Sequence, residues 1–124
     1  VTTAEAFLGS VPELIALQAF ERAGLTEGVD FTYQSRFMGG RTQLGGVIVD
    51  FLFSNPSGLA INVQGVYYHY EQGSKVTGRD QMARIQLAGL GIQLIFIDED
   101  DLLRDPDFYI SEALGFRDHS RMAR

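Results

Sequence analysis

VIVDFLFSNPSGLAINVQG, residues 47–65, decides the fold. Its first seven residues (47–53) are too continuously apolar for a half-exposed strand and predict a central one. SNPSG (54–58) is turn chemistry, and LAINVQG (59–65) reads as the returning strand, so the segment predicts a hairpin. Both strands carry polar residues that a core strand would avoid. Asp50 interrupts the first, and Asn62 and Gln64 sit two apart on the second. Side chains alternate with period two, so Asn62 and Gln64 share one face, which in the hairpin can meet Asp50. Beyond Gly65 the chain runs into Tyr67, Tyr68 and His69.

Upstream, Ser10-Val11-Pro12-Glu13 has the form of a helix start: a capping serine, proline in the first turn and glutamate three residues after the cap. Leu14, Leu17, Phe20 and Leu25 follow at helical spacing, and Gly24 stops the run. VDFTYQSRF (29–37) alternates and predicts a strand, and MGGRTQLGG (38–46) a glycine-rich loop. Downstream, a loop at 73–78 precedes RDQMARIQLAGLG (79–91), a helix with Met82, Ile85 and Leu87 or Leu90 on one face. IQLIFID (92–98) predicts a buried strand, and DPDFYISEALG (105–115) a closing helix with Asp105 or Asp107 near its cap. The order is α-β-β-β-α-β-α. A right-handed crossover would set the last strand parallel beside the hairpin, giving an α/β domain with a mixed central sheet flanked by helices.

At 124 residues the chain fits one domain, 1–124, and its 45% hydrophobic and 21% charged composition is that of an ordinary globular protein. The absence of cysteine excludes disulfides and thiolate metal sites. There is no signal segment and no apolar run near the ~18 residues a membrane span needs, so the cytoplasm is the expected compartment and no membrane is expected as a partner. A net charge of −6 argues against a general nucleic-acid binder. The middle of the chain is different: Arg36, Arg41, Lys75, Arg79 and Arg84 face only Asp50, Glu71 and Asp80 there, while Asp98, Glu99, Asp100 and Asp101 form one acidic run.

Several residues could carry chemistry. Burying the Asp50 carboxylate is expensive unless a metal or a donor pairs it; backbone N–H groups of the glycine loop would also serve. The Asn62 and Gln64 amides can ligate a hard cation or position a water, but bring no charge, and they equally suit a polar sheet face. His69 can take a proton from water near neutral pH. Asp80 could orient that imidazole, although an acid in the first turn of a helix is favoured by the dipole alone. Glu13 is accounted for by its capping box, and His119 reads as a loose surface histidine near the C-terminus.

In order, Glu13, Asp50, Gln64, His69 and Asp80 spell Glu–Asp–x–His–Asp. This resembles the signature of the EDxHD homing endonucleases, phage-associated relatives of the very-short-patch mismatch-repair endonuclease. PELIALQAFERAGL (12–25) is similar to that family's first helix, VIVDFLF to its metal-aspartate strand, and NVQGVYYH (62–69) to its strand–Gly–aromatic–aromatic–His segment. The stretch from Gly78 to Leu102 is similar to its closing helix and strand. The resemblance covers about Ser10 to Leu102. It implies a restriction-endonuclease-like, PD-(D/E)XK fold and hydrolysis of DNA phosphodiester bonds with Mg²⁺ or Mn²⁺. It further implies Asp50, Asn62 and Glu13 around the metal, His69 as base oriented by Asp80, and Gln64 on the attacking water. Arg36, Arg41, Lys75, Arg79 and Arg84 would contact phosphates, and Tyr67 and Tyr68 would wedge against bases or pack beneath the loop. Two departures stand out. Without cysteine no zinc is expected, and Asn62 stands where related members usually carry an acid. The alternative is therefore a catalytically degenerate nuclease fold serving as a nucleic-acid-binding or virion-structural module. A homodimer or an attached DNA-reading domain would complete a double-strand cutter, in a bacterial host or phage-infected cell.

Overall fold

The computed structural model describes residues 10–33, 43–44, 47–65 and 74–123. Helix α1, Val11–Arg22, begins where the capping pattern places it. Ser10 Oγ accepts the Glu13 N–H at 3.3 Å, while Glu13 Oε1 accepts the Ser10 N–H at 3.2 Å and its hydroxyl at 2.7 Å. Two first-turn donors that would otherwise be orphaned are thereby paired. The helix buries Ala16, Leu17, Ala19 and Phe20. Phe20 stands at 5.0–5.1 Å, centroid to centroid, from the rings of Phe31, Phe51 and Phe53.

Those three rings come from the sheet. Strand β1 is Phe31–Tyr33, β2 Gln43–Leu44, β3 Val47–Ile48, β4 Phe51–Phe53, β5 Leu59–Gln64 and β6 Gln93–Asp98. The main sheet has the order β1-β4-β5-β6, with β1, β4 and β5 antiparallel and β6 parallel to β5. The hairpin β4–β5 pairs Phe51 with Ile61 and Phe53 with Leu59. Its turn passes through Gly58 at φ +77°, where a Cβ would stand 3.1 Å from the Gly91 carbonyl oxygen; left-handed backbone and close approach both require glycine there.

Helix α2, Ser74–Ala88, connects β5 to β6, and α3, Glu99–Arg104, and α4, Pro106–Leu114, follow. Asp105, not Asp107, caps α4, accepting the Phe108 N–H at 3.3 Å. Strict alternation divides the core. Phe51, Phe53, Leu59, Ile61, Ile95 and Ile97 face α1, α3 and α4, whereas Ala60, Leu94 and Phe96 face α2 and the buried Met122 of the C-terminal turn Arg121–Ala123.

The structure departs from the sequence reading in five places. The central strand expected over 47–53 is broken at Val49 and Asp50, and its first two residues pair instead with β2, inside the stretch read as a glycine-rich loop. Residues 29–30 are turn, so the described part of the expected 29–37 strand is β1 alone; residues 34–37 lie outside the described residues. α2 starts at Ser74, within the expected loop. Met82, Ile85 and Leu90 are exposed at 54%, 64% and 57%, while Leu87 is buried with Ala83 partly beneath it. That one-turn pair is enough to seat α2, because the sheet surface below it is shallow at Ala60. Finally, a helix not in the expected order, α3, follows β6 directly, so that the acidic run 98–101 closes the strand at Asp98 and opens the helix.

Candidate functional site

The break at Asp50 is made by side chains. The Asp50 N–H donates to Asn62 Oδ1 at 2.7 Å, and Asp50 Oδ2 accepts the Val63 N–H at 2.9 Å. Beyond the Phe51–Ile61 pair, side-chain oxygens thus take over the role of main-chain acceptors in holding the two strands. Among the described residues, the backbone donor that Asp50 Oδ2 pairs belongs to the neighbouring strand β5.

Two residues further along β5, Gln64 is buried and donates from Nε2 to Asp80 Oδ2 at 3.0 Å. A primary amide at 1% exposure needs such a partner, since an unpaired buried polar group is costly. Asp80 lies on α2, so this bond also ties the helix to the sheet. In the parallel register Gln64 stands beside Asp98. The chain then leaves the sheet through Gly65, where a Cβ would meet Glu99 Oε2 at 3.2 Å. Asp50, Asn62, Gln64 and Asp80 are therefore gathered where β4 begins and β5 ends, on the α2 side of the sheet.

Other expected residues are placed differently. Glu13 is buried, and its Oε1 serves the cap of its own helix. Arg36, Arg41, Tyr67, Tyr68 and His69 lie outside the described residues. Lys75 is in the first turn of α2, its side chain likewise undescribed, and Arg79 is exposed beside Asp80. Arg84 turns away from the role of a phosphate contact: its Nη2 donates to Asp118 Oδ2 at 3.0 Å, Nη1 reaches the Met122 carbonyl at 3.5 Å, and the guanidinium lies 5.4 Å from the centre of the Phe96 ring. His119 is no loose terminal residue. Its Nε2 is 2.9 Å from Glu112 Oε1, and its ring packs against Phe108 and Tyr109. Arg117 first, and His119 second, hold the Glu112 carboxyl below its usual range by hydrogen bonding.

Beside Gln64 lies a group that sequence reasoning noted only as an acidic run. Carboxylate oxygens of Asp98, Asp100 and Asp101 fall within 4.8 Å of one another. Oxygen donors at that spacing fit a hard divalent cation. An arginine already stands among them: Arg121 donates from Nη1 to Asp98 Oδ2 at 3.0 Å and Asp100 Oδ1 at 3.1 Å, and from Nη2 to Asp100 Oδ2 at 2.6 Å. Arg104 pairs with Asp101 at 2.8 Å. These bonds hold the Asp100 carboxyl below, and the Arg121 guanidinium above, its ordinary value. No local pattern announces Arg121, because its partners are more than twenty residues away in sequence.

The donors around Asp50 are likewise all oxygen, the type Mg²⁺ and Mn²⁺ take, with one carboxylate where a second acid would add charge. No family model matches the chain, and no curated protein matches it in sequence. Among solved structures it is similar to the catalytic domain of the homing endonuclease I-Bth0305I, with a TM-score of 0.62 and 20% identity over 87% of this chain and 94% of that one. The fold is thus the expected one, a mixed α/β sheet flanked by helices in the restriction-endonuclease-like arrangement.

Proposed function

We propose that the chain is a metal-dependent DNA endonuclease of the EDxHD type that hydrolyses phosphodiester bonds. The observation that carries this reading is the meeting of Asp50, Asn62, Gln64 and Asp80 at one end of a sheet whose fold matches a homing endonuclease catalytic domain. Asp50, with Asn62 and Glu13 as further oxygen donors, would hold Mg²⁺ or Mn²⁺. When bound, that ion supplies Lewis-acid polarisation of the scissile phosphate.

The chain's own groups do the rest. Donation from Gln64 Nε2 to Asp80 fixes the amide's orientation, and in this reading the oriented amide aligns the attacking water. His69 would take the proton from that water, and Asp80, which already orients Gln64, would orient the imidazole as well. Arg79, with Arg36, Arg41 and Lys75, offers cations to the DNA backbone, and Tyr67 and Tyr68 offer flat faces to unstacked bases. Phage association, a homodimer or an added DNA-reading domain belong to the same reading. Among the described residues no helix is long and apolar enough to cross a membrane. The test is nicking of supercoiled DNA with and without Mg²⁺. Asp50→Ala and His69→Ala should each abolish it with the fold retained; cutting by both variants overturns the reading.

One observation favours a second reading, a degenerate nuclease fold that binds nucleic acid or builds a virion. Asn62 brings no charge, and its Oδ1 is engaged by the Asp50 N–H. Asn62→Asp keeps that acceptor and adds a carboxylate. Metal-dependent nicking that appears only in this variant would favour the second reading.

A further inference from the structure

The C-terminal segment after α4 lies over the α2 side of the sheet, and its contacts form a continuous path to Gln64. Asp118 Oδ2 accepts both the Phe96 N–H and Arg84 Nη2, each at 3.0 Å, and Asp118 Oδ1 accepts the Ser120 N–H at 2.8 Å. The Met122 carbonyl accepts Gln81 Nε2 at 3.3 Å as well as Arg84 Nη1. The Met122 side chain is buried against the cluster that holds Leu87, Leu94 and Phe96. Gln81 and Arg84 flank the α2 turn that starts at Asp80: one is its next residue, the other lies one helical turn on. Asp80 in turn holds the Gln64 amide.

We infer that Asp118 and the Met122 carbonyl are positioning groups for the candidate active site: they fix the rotation of α2 about its axis and thereby the place of Asp80 and the orientation of Gln64. α2 needs this help. Among its described side chains the apolar contact with the sheet is narrow, with Leu87 buried, Ala83 partly so, and Met82 and Ile85 turned to solvent, so this packing constrains its rotation weakly. The polar bonds at Gln81 and Arg84 supply the missing constraint. Asp118 is well suited to it, because one carboxylate grips a sheet N–H and a helix guanidinium at once, with a side-chain exposure of only 9%. A catalytic group displaced by a remote change of this kind loses rate on the order of ten- to a hundred-fold.

This inference rests on the nuclease reading for its consequence in rate, but not for its structural content. The experiment compares wild type, Asp118→Asn and Asp118→Glu by two readouts. In the first, hydrogen exchange of the Gln64 side-chain amide is followed by NMR; Asp118→Asn should lower its protection about ten-fold while the main-chain amides of β5 keep theirs. In the second, Mg²⁺-dependent nicking is measured well below the unfolding temperature; Asp118→Asn should lower kcat about ten-fold with KM little changed, and Asp118→Glu should recover part of the loss. Should Asp118→Asn fail to fold, Gln81→Ala, which removes the Met122 bond and the bond that Gln81 Oε1 accepts from Arg84 at 3.3 Å while leaving Asp118 in place, is read in the same way. An unmoved Gln64 amide in a folded variant overturns the proposal. A wild type that does not nick DNA defeats the nuclease reading alone, because the amide exchange still decides the positioning role.

Discussion

The two faces of the sheet are built on opposite terms. Toward α1, α3 and α4 the strands present Phe31, Phe51, Phe53, Leu59, Ile61, Ile95 and Ile97 around Phe20, with Tyr33 packed at the margin on Phe51. Toward α2 the same strands present Ala60, Leu94 and Phe96 and then, at the end where Asp50 lies, Asn62, Gln64 and Asp98. One face maximises apolar contact; the other gives up part of it for buried groups that each need a specific partner. Stability is concentrated on the first face, and chemical capacity on the second.

The largest expected effect comes from the apolar face. Phe20→Ala removes a ring in contact with three others and should destabilise the domain by about 3–5 kcal/mol, measured by urea unfolding. On the polar face, Asn62→Ala leaves the Asp50 N–H without its acceptor and should cost about 1–3 kcal/mol in the same assay. A loss at Asn62 equal to that at Phe20 would erase the proposed division between the faces.

Smaller still is the pH effect of the Arg121 pair. Hydrogen bonding to Arg121 depresses the folded pKa of Asp100, so the bond's contribution is present above the ordinary aspartate value and disappears as pH falls through the lower folded value. The stability difference between wild type and an Arg121→Gln variant should therefore shrink as pH falls below about 4. Because Asp100 is exposed, the Asp100 share of that difference should stay under about 1 kcal/mol. A difference that widens on acidification would contradict the assignment. Least affected should be Ile85→Ser, within about 0.5 kcal/mol of wild type, since this side chain is 64% exposed. A loss of several kcal/mol there would restore the face that the spacing of Met82 and Ile85 suggested.

What the sequence disclosed and what it hid follow from distance along the chain. The S-x-x-E box announced α1 because all its bonds are local. Period-two alternation was enough to bring Asn62 and Gln64 to one face and Asp50 opposite them. The strand break was hidden because VIVDFLF is apolar on both sides of Asp50, and only the neighbouring strand's Asn62 and Val63 create the interruption. The face of α2 was misread because helical spacing identifies apolar residues that could share a face, while the shape of the sheet decides which are used. The partners of Arg84 and His119 were hidden for a third reason. Asp118, which engages Arg84, is 34 residues away, and the rings around His119 come from α4.

Among the described residues β6 is the last strand of the sheet, with no neighbouring strand at its outer main-chain donors. The Asp118 carboxylate covers the donor at Phe96. A side chain in that position satisfies the N–H yet cannot continue a ladder. A chain shortened before Asp118 would keep its sheet but bare that margin, inviting strand-by-strand stacking of separate molecules. The residue inferred to steady α2 thus also covers a donor on the open margin of the sheet.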